Sequence, residues 1–520
     1  MIIVGIGGGA AALIKDGTLA AAVEQVKVTR TSSRDLPLDA LDACLRIAKV
    51  DAAAVNGAVL VRPFRSPADG GVHVRLRGLL PGAEVAVLDH HTAHAASAYY
   101  ASPFENATVL TLDRHGDMRC GARWLANGAA IELDRELYPP DSLGDLYSRV
   151  TALLGYQPNV DEHKVQWLSA SGDDRFTAVF QEILHGNGDP WPRIDLRFFD
   201  TSRHSAGGFA ARFYKALGLS DEAEVPAHLR PHVAAGLQRA IEATVLAMAG
   251  SGENLCLAGG LGLNALLVAS LEQSGKWKNV FVQPAAGNSG TAIGAALHGW
   301  HRIARRNERI GLGSLCLGPA FSAEESKQVL ENCKLRFRYM LTAGELVERA
   351  VAELDDNRII AWMQGAMEFG SRALGNRSIL ASPRNPYSTE NLNSYIKHRE
   401  GFRKFAASVP AELAGEFFET GPNARFLATV GRVKPAHRKT FDSAVLGDGL
   451  VRVHTVSKED NPLFWELLHA AGKATGLPVL YNTSFNLFGD PLVCSPRDAV
   501  RSFYSSGIDA MFVGNFFLEK

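Results

Sequence analysis

Three things are scarce in this 520-residue chain, and each scarcity excludes something. Net charge is the first. The 54 Lys and Arg against 55 Asp and Glu leave a formal −1, so no broad basic surface is offered to nucleic acid or to an anionic membrane. Any basic cluster must be local, and local clusters point to small anions. Paired cysteine is the second. Cys44, Cys120, Cys256, Cys316, Cys333 and Cys494 are scattered without a Cys-x-x-Cys pair, which argues against a zinc ribbon or disulfide framework and for a reducing compartment. Long apolar runs are the third. No run of about 18 apolar residues occurs, so no membrane span is expected. The apolar start MIIVGIGGG lacks the basic flank and cleavage site of a secretory signal, and a cytoplasmic protein is expected. Repeats of about 20–50 residues and low-complexity segments are not seen either.

What is present describes a globular chain of enzyme-like composition. Hydrophobic residues at 46% and charged residues at 21% are globular proportions, and the length calls for two or three domains. Residues 1–30 read as a hairpin turning at Asp16-Gly17. A helix (PLDALDACLRIAKV), an apolar strand (AAVNGAVLV), a strand (EVAVLD), a helix (HTAHAASAYYA) and a strand (ATVLTLD) follow. This alternation indicates an α/β fold with a mostly parallel or mixed sheet. The stretch from DSLGDLYSRVTALLGY through HLRPHVAAGLQRAIEATVLAMAG is helix-rich, and two strand–turn–helix units come after it. A second α/β region starts near residue 340, with strands near RIIAWMQ, VRVHTV and GLPVLYNTS.

Four features carry chemistry. In DHHTAHAASAYY, His90 and His94 lie one helical turn apart, and Asp113 closes the next strand. Two imidazoles and a carboxylate suit iron(II) or another divalent metal. The same spacing fits two histidines that merely cap or pack a helix, and spacing alone leaves both open. The turns AGGLGLN (Gly259, Gly260, Asn264) and AAGNSG (Asn288) each join a strand to a helix, with GIGGG as a third such turn; together they favour nucleotide binding. The segment from 368 to 404 gathers Arg372, Arg377, Arg384, Lys397, Arg399, Arg403 and Lys404 among Gly, Asn and Ser. Such a cluster suits a phosphorylated substrate, or else an ion-pair network with Glu368, Glu390 and Glu400. Finally, NTSFN, with Ser484 and Asn486, follows a strand, and Arg452 lies within another.

The stretches EFGSRALGNRSILASPR, IKHREGFRKFA and TGLPVLYNTSFN, with DHHTAHAASAYYASPF, TLDRHGD, AGGLGLN and PAAGNSGTAIGAA before them, resemble the carbamoyltransferase family of the NodU, CmcH and TobZ type. The resemblance spans nearly the whole chain. It implies an actin- and sugar-kinase-like carbamoyl-transfer domain with a helical insert over residues 1–335, of the branch that includes the tRNA threonylcarbamoyladenosine synthases. It implies a YrdC-like α/β domain over 340–520. The second would form carbamoyl-adenylate from carbamoyl phosphate and ATP, the ATP accompanied by Mg. The first would transfer the carbamoyl group to a hydroxyl of a small secondary metabolite, as in antibiotic biosynthesis. By position, His90, His94 and Asp113 would hold iron(II). Arg372, Lys397 and Arg452 would be catalytic, and with Arg403, Ser484, Asn486, Lys164, Gly259, Gly260, Asn264 and Asn288 would bind substrate and nucleotide. Segment 175–230 would line the acceptor pocket.

The chain departs from the family twice. A His-Asp pair expected in the N-terminal hairpin is missing from GIGGGAAAL, and Asn288 stands where the family's AAGDSG has an aspartate. His115, beside Asp113, is a candidate to replace the lost histidine as base or ligand. These departures leave open N-carbamoylation, another use of carbamoyl-adenylate, or a nucleotide-binding partner without transfer activity.

Overall fold

The first thirty residues contain two turns where the sequence shows one plainly. Strands β1 (Ile2–Gly7), β2 (Ala10–Lys15) and β3 (Thr18–Glu24) form an antiparallel meander. Gly8 (φ 55°) and Gly9 (φ 72°) make the first turn, and Asp16 (φ 50°) and Gly17 (φ 82°) the second. Both pairs are left-handed, as a two-residue hairpin loop requires. GIGGG therefore joins strand to strand, not strand to helix, and is no phosphate-binding helix start.

The structure, a computed structural model, describes residues 1–520 apart from 33–34, 63–69, 187, 201, 203–205, 221–223 and 488. Strands β4 (Gly57–Val61) and β5 (Glu84–Leu88) run parallel to β1 and complete a first sheet, in the order β3-β2-β1-β4-β5. A second sheet follows the same plan. Its strands are β6 (Asn106–Gly116), β7 (Arg119–Asn127), β8 (Ala130–Leu137), β9 (Gly252–Ala258) and β10 (Trp277–Val282), in the order β10-β9-β6-β7-β8. Again the first three are antiparallel and the last two are parallel to the first. The chain thus builds one five-stranded unit twice, in keeping with the actin- and sugar-kinase-like domain that the resemblance implies. Sequence periodicity does not show the repeat, because the two copies share only apolar alternation.

Two helices fill the space between these sheets. His90–Tyr99 starts on an Asp89 cap, whose carboxylate accepts from Thr92 N at 3.0 Å. Gly290–Arg302 packs against it and against β1. The contact faces are small: Ala93, Ala96, Ala292 and Ala296 are fully buried. A Cβ on Gly294 would meet Ala93 O at 1.9 Å, and one on Gly5 would meet Ala292 O at 2.1 Å. The backbones approach this closely because side chains are missing, and neither backbone can yield locally. Gly294→Ala is expected to destabilise the fold by about 1–3 kcal/mol, read as a lowered melting temperature.

Between β8 and β9 runs the helical insert. Helices Leu143–Leu153, Glu162–Ser169 and Thr177–Ile183 gather around Arg230–Ala249, whose Val233, Leu237, Ile241 and Val245 join Leu110, Leu255 and Leu257 of the sheet in one core. After residue 337 comes a ten-stranded mixed sheet, with Ile360–Met363, Arg377–Ala381, Leu480–Ser484, Ala406–Pro410 and Leu450–Val456 adjacent in that order at its middle. Helices Ala343–Asp355 and Pro462–Thr475 bury one face of it, and Pro496–Tyr504 packs on the other.

Polar clamps hold this third sheet to the first. Lys27, 5% exposed, pairs with Glu24 and donates to Glu368 O (3.0 Å) and Gly370 O (2.5 Å). Arg30 donates to Leu492 O (2.6 Å) and Pro491 O (2.8 Å). Among the described residues, no helix is long and apolar enough to cross a membrane.

Candidate active site

Asp113 owes its orientation to an irregularity in β6. Leu112 pairs with Gly121 and Gly116 with Arg119, so the residues between leave the ladder. Such a bulge turns a side chain out of the regular alternation. The Asp113 carboxylate reaches the face of helix His90–Tyr99 that carries both histidines. His90 Nε2 lies 3.0 Å and His94 Nε2 3.2 Å from Asp113 Oδ2. The donor atoms of all three lie within 4.8 Å of one another. Burial works against ionising Asp113, but its hydrogen bonds with His90 and His94 outweigh it and hold the carboxyl well below its usual range. Burial lowers His94 below the usual imidazole value, so it offers a neutral nitrogen. Of the two readings that spacing allowed, the geometry supports convergence on one point. A neutral imidazole, a second imidazole and an ionised carboxylate form a donor set that fits a divalent cation.

Close packing surrounds this cluster. A Cβ on Gly260 would stand 3.0 Å from Asp113 Oδ1, and one on Gly259 (φ 93°) would meet Leu112 O at 2.2 Å. Gly259 N also donates to Ala286 O at 2.9 Å, which ties this turn to the loop bearing Asn288. That loop rests on the hairpin, where a Cβ on Gly8 would meet Asn288 O at 1.9 Å. Asn264 caps helix Ala265–Gln273 through Leu267 N (3.1 Å) and exchanges amide hydrogen bonds with Gln238. Its side chain is therefore engaged inside the protein. His115 is exposed at the strand end.

The basic segment, Lys404 apart, divides into two groups, and Arg452 of strand Leu450–Val456 joins the second. Arg377 is fully buried and donates to the carbonyls of Gln364, Gly365, Asn376 and Pro319, while Arg384 pairs with Asp355 at 2.7 Å. Glu368 accepts from the backbone of Leu374, Asn376 and Arg377, so it braces a loop and neutralises none of the remaining cations. Those others, Arg372, Lys397, Arg399, Arg403 and Arg452, form a mutually repelling group. Lys397 closes a π-helical turn, Leu392–Lys397, an irregularity common at functional sites. Its ammonium donates to Ser484 O (2.5 Å), Asn486 O (2.8 Å) and Asn486 Oδ1 (2.8 Å). Burial first, then Arg399 and Arg403, push Lys397 well below the normal lysine value. Burial and neighbouring arginines likewise lower Arg452, take Arg372 to about 10 and take Arg399 to about 9. Among the described residues, Arg452 Nε and Nη2 and Arg403 Nε are buried with no hydrogen-bond partner. Charges held this way call for an anion.

Part of the wall comes from the helical insert. The Arg452 guanidinium lies 5.1 Å from the Trp167 ring centroid of the insert, and Arg372 Nη2 donates at 3.2 Å to Leu263 O of the turn after β9. His163 Nδ1 lies 3.1 Å from Val160 O; burial, then Arg403, take this ring to about 4. Lys164 pairs with Asp161 (3.2 Å) and Glu400 (2.9 Å). Of these, Trp167 and His163 carry no signal in the sequence. Arg399 lay in view within the basic segment but did not stand out from its neighbours.

Comparison with known proteins decides what these groups belong to. Residues 78–297 match the family model of the carbamoyltransferase N-terminus, and residues 351–520 that of the carbamoyltransferase C-terminus. Nodulation protein NolNO of Sinorhizobium fredii is 33% identical across 98% of this chain and 79% of its own. The chain belongs to the carbamoyltransferase family. The carbamoyltransferase is also 32% identical to the uncharacterized protein sll1178 of Synechocystis, over 98% of this chain and 95% of that one. Among solved structures, component A of the (R)-2-hydroxyglutaryl-CoA dehydratase of Acidaminococcus fermentans is similar at a TM-score of 0.39 and 14% identity, over 58% of this chain and 99% of that one.

Asn288 is where this carbamoyltransferase invites a direct comparison of donors. A carboxylate binds a hard cation more tightly than a neutral amide oxygen. The Asn288→Asp protein is expected to keep more divalent metal through dialysis than the parent, measured by elemental analysis; equal retention would place residue 288 outside the ligand set. Of segment 175–230, residues 187, 201, 203–205 and 221–223 lie outside the described residues.

Proposed function

We propose that this carbamoyltransferase makes carbamoyl-adenylate from carbamoyl phosphate and ATP, and then passes the carbamoyl group to a hydroxyl of a small molecule. Residues 340–520 would carry the first reaction, in a YrdC-like manner, and residues 1–335 the second. One observation carries the reading: five buried or half-buried cations converge, and buried nitrogens of Arg452 and Arg403 have no partner among the described residues. ATP and carbamoyl phosphate bring the negative charge that such a pocket lacks, and each charge-assisted hydrogen bond contributes about 1.5–3 kcal/mol.

Atoms balance in a simple order. Water cleaves carbamoyl phosphate to carbamate and phosphate. The carbamate oxygen attacks the α-phosphorus of ATP, and pyrophosphate leaves with its charge offset by Arg372, Arg403 and Arg452. Lys397, anchored by Ser484 and Asn486, adds a fourth charge. The acceptor oxygen then attacks the carbonyl carbon, loses its proton and expels AMP. Carbamoyl-adenylate hydrolyses readily in water, which favours both steps on one chain.

His90, His94 and Asp113 would hold a divalent metal, iron(II) by its ligand chemistry, and when bound it would polarise the carbonyl as a Lewis acid. Magnesium would enter with ATP. Because both co-substrates are metabolites of the cell interior, the cytoplasm is the site of action this reading requires. Mixing protein, ATP and carbamoyl phosphate should release pyrophosphate without acceptor, and a panel of hydroxyl compounds should yield AMP and a carbamoyl mass increase on one member. No pyrophosphate under any condition would end the proposal.

A further inference from the structure

The cation cluster contains one carboxylate in a position to spoil it. Glu400 stands three residues before Arg403, a spacing at which acid and guanidinium on one turn readily pair. They do not close. Glu400 Oε2 stops 3.9 Å from Arg403 Nη1, and it is buried with no hydrogen-bond partner among the described residues. Arg403 Nε is buried and unpartnered as well. The other Glu400 oxygen is engaged elsewhere, 2.9 Å from Lys164 Nζ. Lys164 belongs to the helical insert, not to the sheet that carries the arginines. It is fixed in turn by Asp161 at 3.2 Å and lies 5.5 Å from the Tyr156 ring centroid. Three residues on along the same helix, Trp167 backs Arg452.

We infer that Lys164 is a positioning residue for phosphate binding: by taking up Glu400 it leaves Arg403 free for the anion, so the insert completes a pocket that the third sheet alone would partly neutralise. This inference rests on reading the cluster as a phosphate site. It also revises Lys164 itself. With two carboxylates already on its ammonium, Lys164 acts on the nucleotide through Arg403, not by contact.

A plain tie between two parts of the chain would use the same ion pair, and the two roles differ in what Glu400 does once Lys164 is gone. The probe is inorganic pyrophosphate, titrated calorimetrically into the full-length protein, with melting curves confirming that each variant is folded. Lys164→Met should weaken binding by about 10–100-fold, the cost of one lost charge-assisted contact, because Glu400 then closes on Arg403. Removing the carboxylate too, in Lys164→Met/Glu400→Gln, should restore affinity to within about threefold. Glu400→Gln alone should bind as tightly as the parent or more so.

A double variant as weak as Lys164→Met, or a Glu400→Gln protein that loses affinity, would reduce the pair to a tie and overturn the inference. So would unchanged binding in Lys164→Met, or a parent protein that does not bind pyrophosphate. If the rescue is seen but the parent makes no carbamoyl-adenylate from ATP and carbamoyl phosphate, the inference stands and the proposed reaction falls.

Discussion

Arg452→Met is expected to slow ATP-dependent pyrophosphate release by about 10²–10³-fold, the scale for removing one preorganised donor to developing charge in a secluded site. Three features make Arg452 the strongest choice. Its Nε and Nη2 are buried without partners among the described residues, the Trp167 ring centroid lies 5.1 Å from its guanidinium, and Arg372, Arg399 and Arg403 surround it with like charge. In the absence of an anion this arrangement is unfavourable, so removing the guanidinium should leave stability unchanged or raised while activity collapses. Opposite signs in two measurements on one variant are hard to obtain from a structural role. A fall in melting temperature with turnover intact would contradict the assignment. Lys397 adds a pH signature. Its pKa lies below the usual lysine value in the free protein, and a polyanion must raise it. Binding of ATP should therefore take up protons and weaken as pH rises, visible as a buffer-dependent calorimetric enthalpy.

The second large effect separates the two halves of the reaction. His94→Ala and Asp113→Asn should each lose bound metal and lower carbamoyl transfer by about 10²–10⁴-fold, the scale of several kcal/mol of Lewis-acid assistance. Pyrophosphate release should persist, because the cation cluster is built from other residues. Three donors within 4.8 Å cannot spare one and keep a divalent ion tightly. Parallel loss of both activities would mean that the histidine cluster also supports adenylate formation. Metal retained by both variants would exclude these residues as ligands.

His90 and His94 were legible because the helix period is local, and Asp113 by its place near a strand end, whereas the bulge that aims its carboxylate at them shows in no period. An i,i+4 pair shares a helix face, and the Asp89 cap marks where that helix begins. The basic segment was legible as composition but not as structure. Nothing in the order of the segment tells Arg377, whose guanidinium braces four backbone carbonyls, from Arg403, whose guanidinium makes no such backbone contacts among the described residues and faces the other cations. Asn264 shows the reverse. Its place after a glycine turn suggested a ligand, whereas its amide is spent on a helix cap and on Gln238.

The sequence by itself determined the family, the α/β class and the residue types of both clusters, because motifs and periodicities are properties of neighbours along the chain. Only the tertiary structure decided that one five-stranded plan is used twice, that GIGGG is a hairpin turn, and that Glu400 lies closer to Lys164 than to Arg403. Those outcomes depend on which distant backbones approach closely enough to pack or pair, a balance of burial, charge and space that no single segment contains.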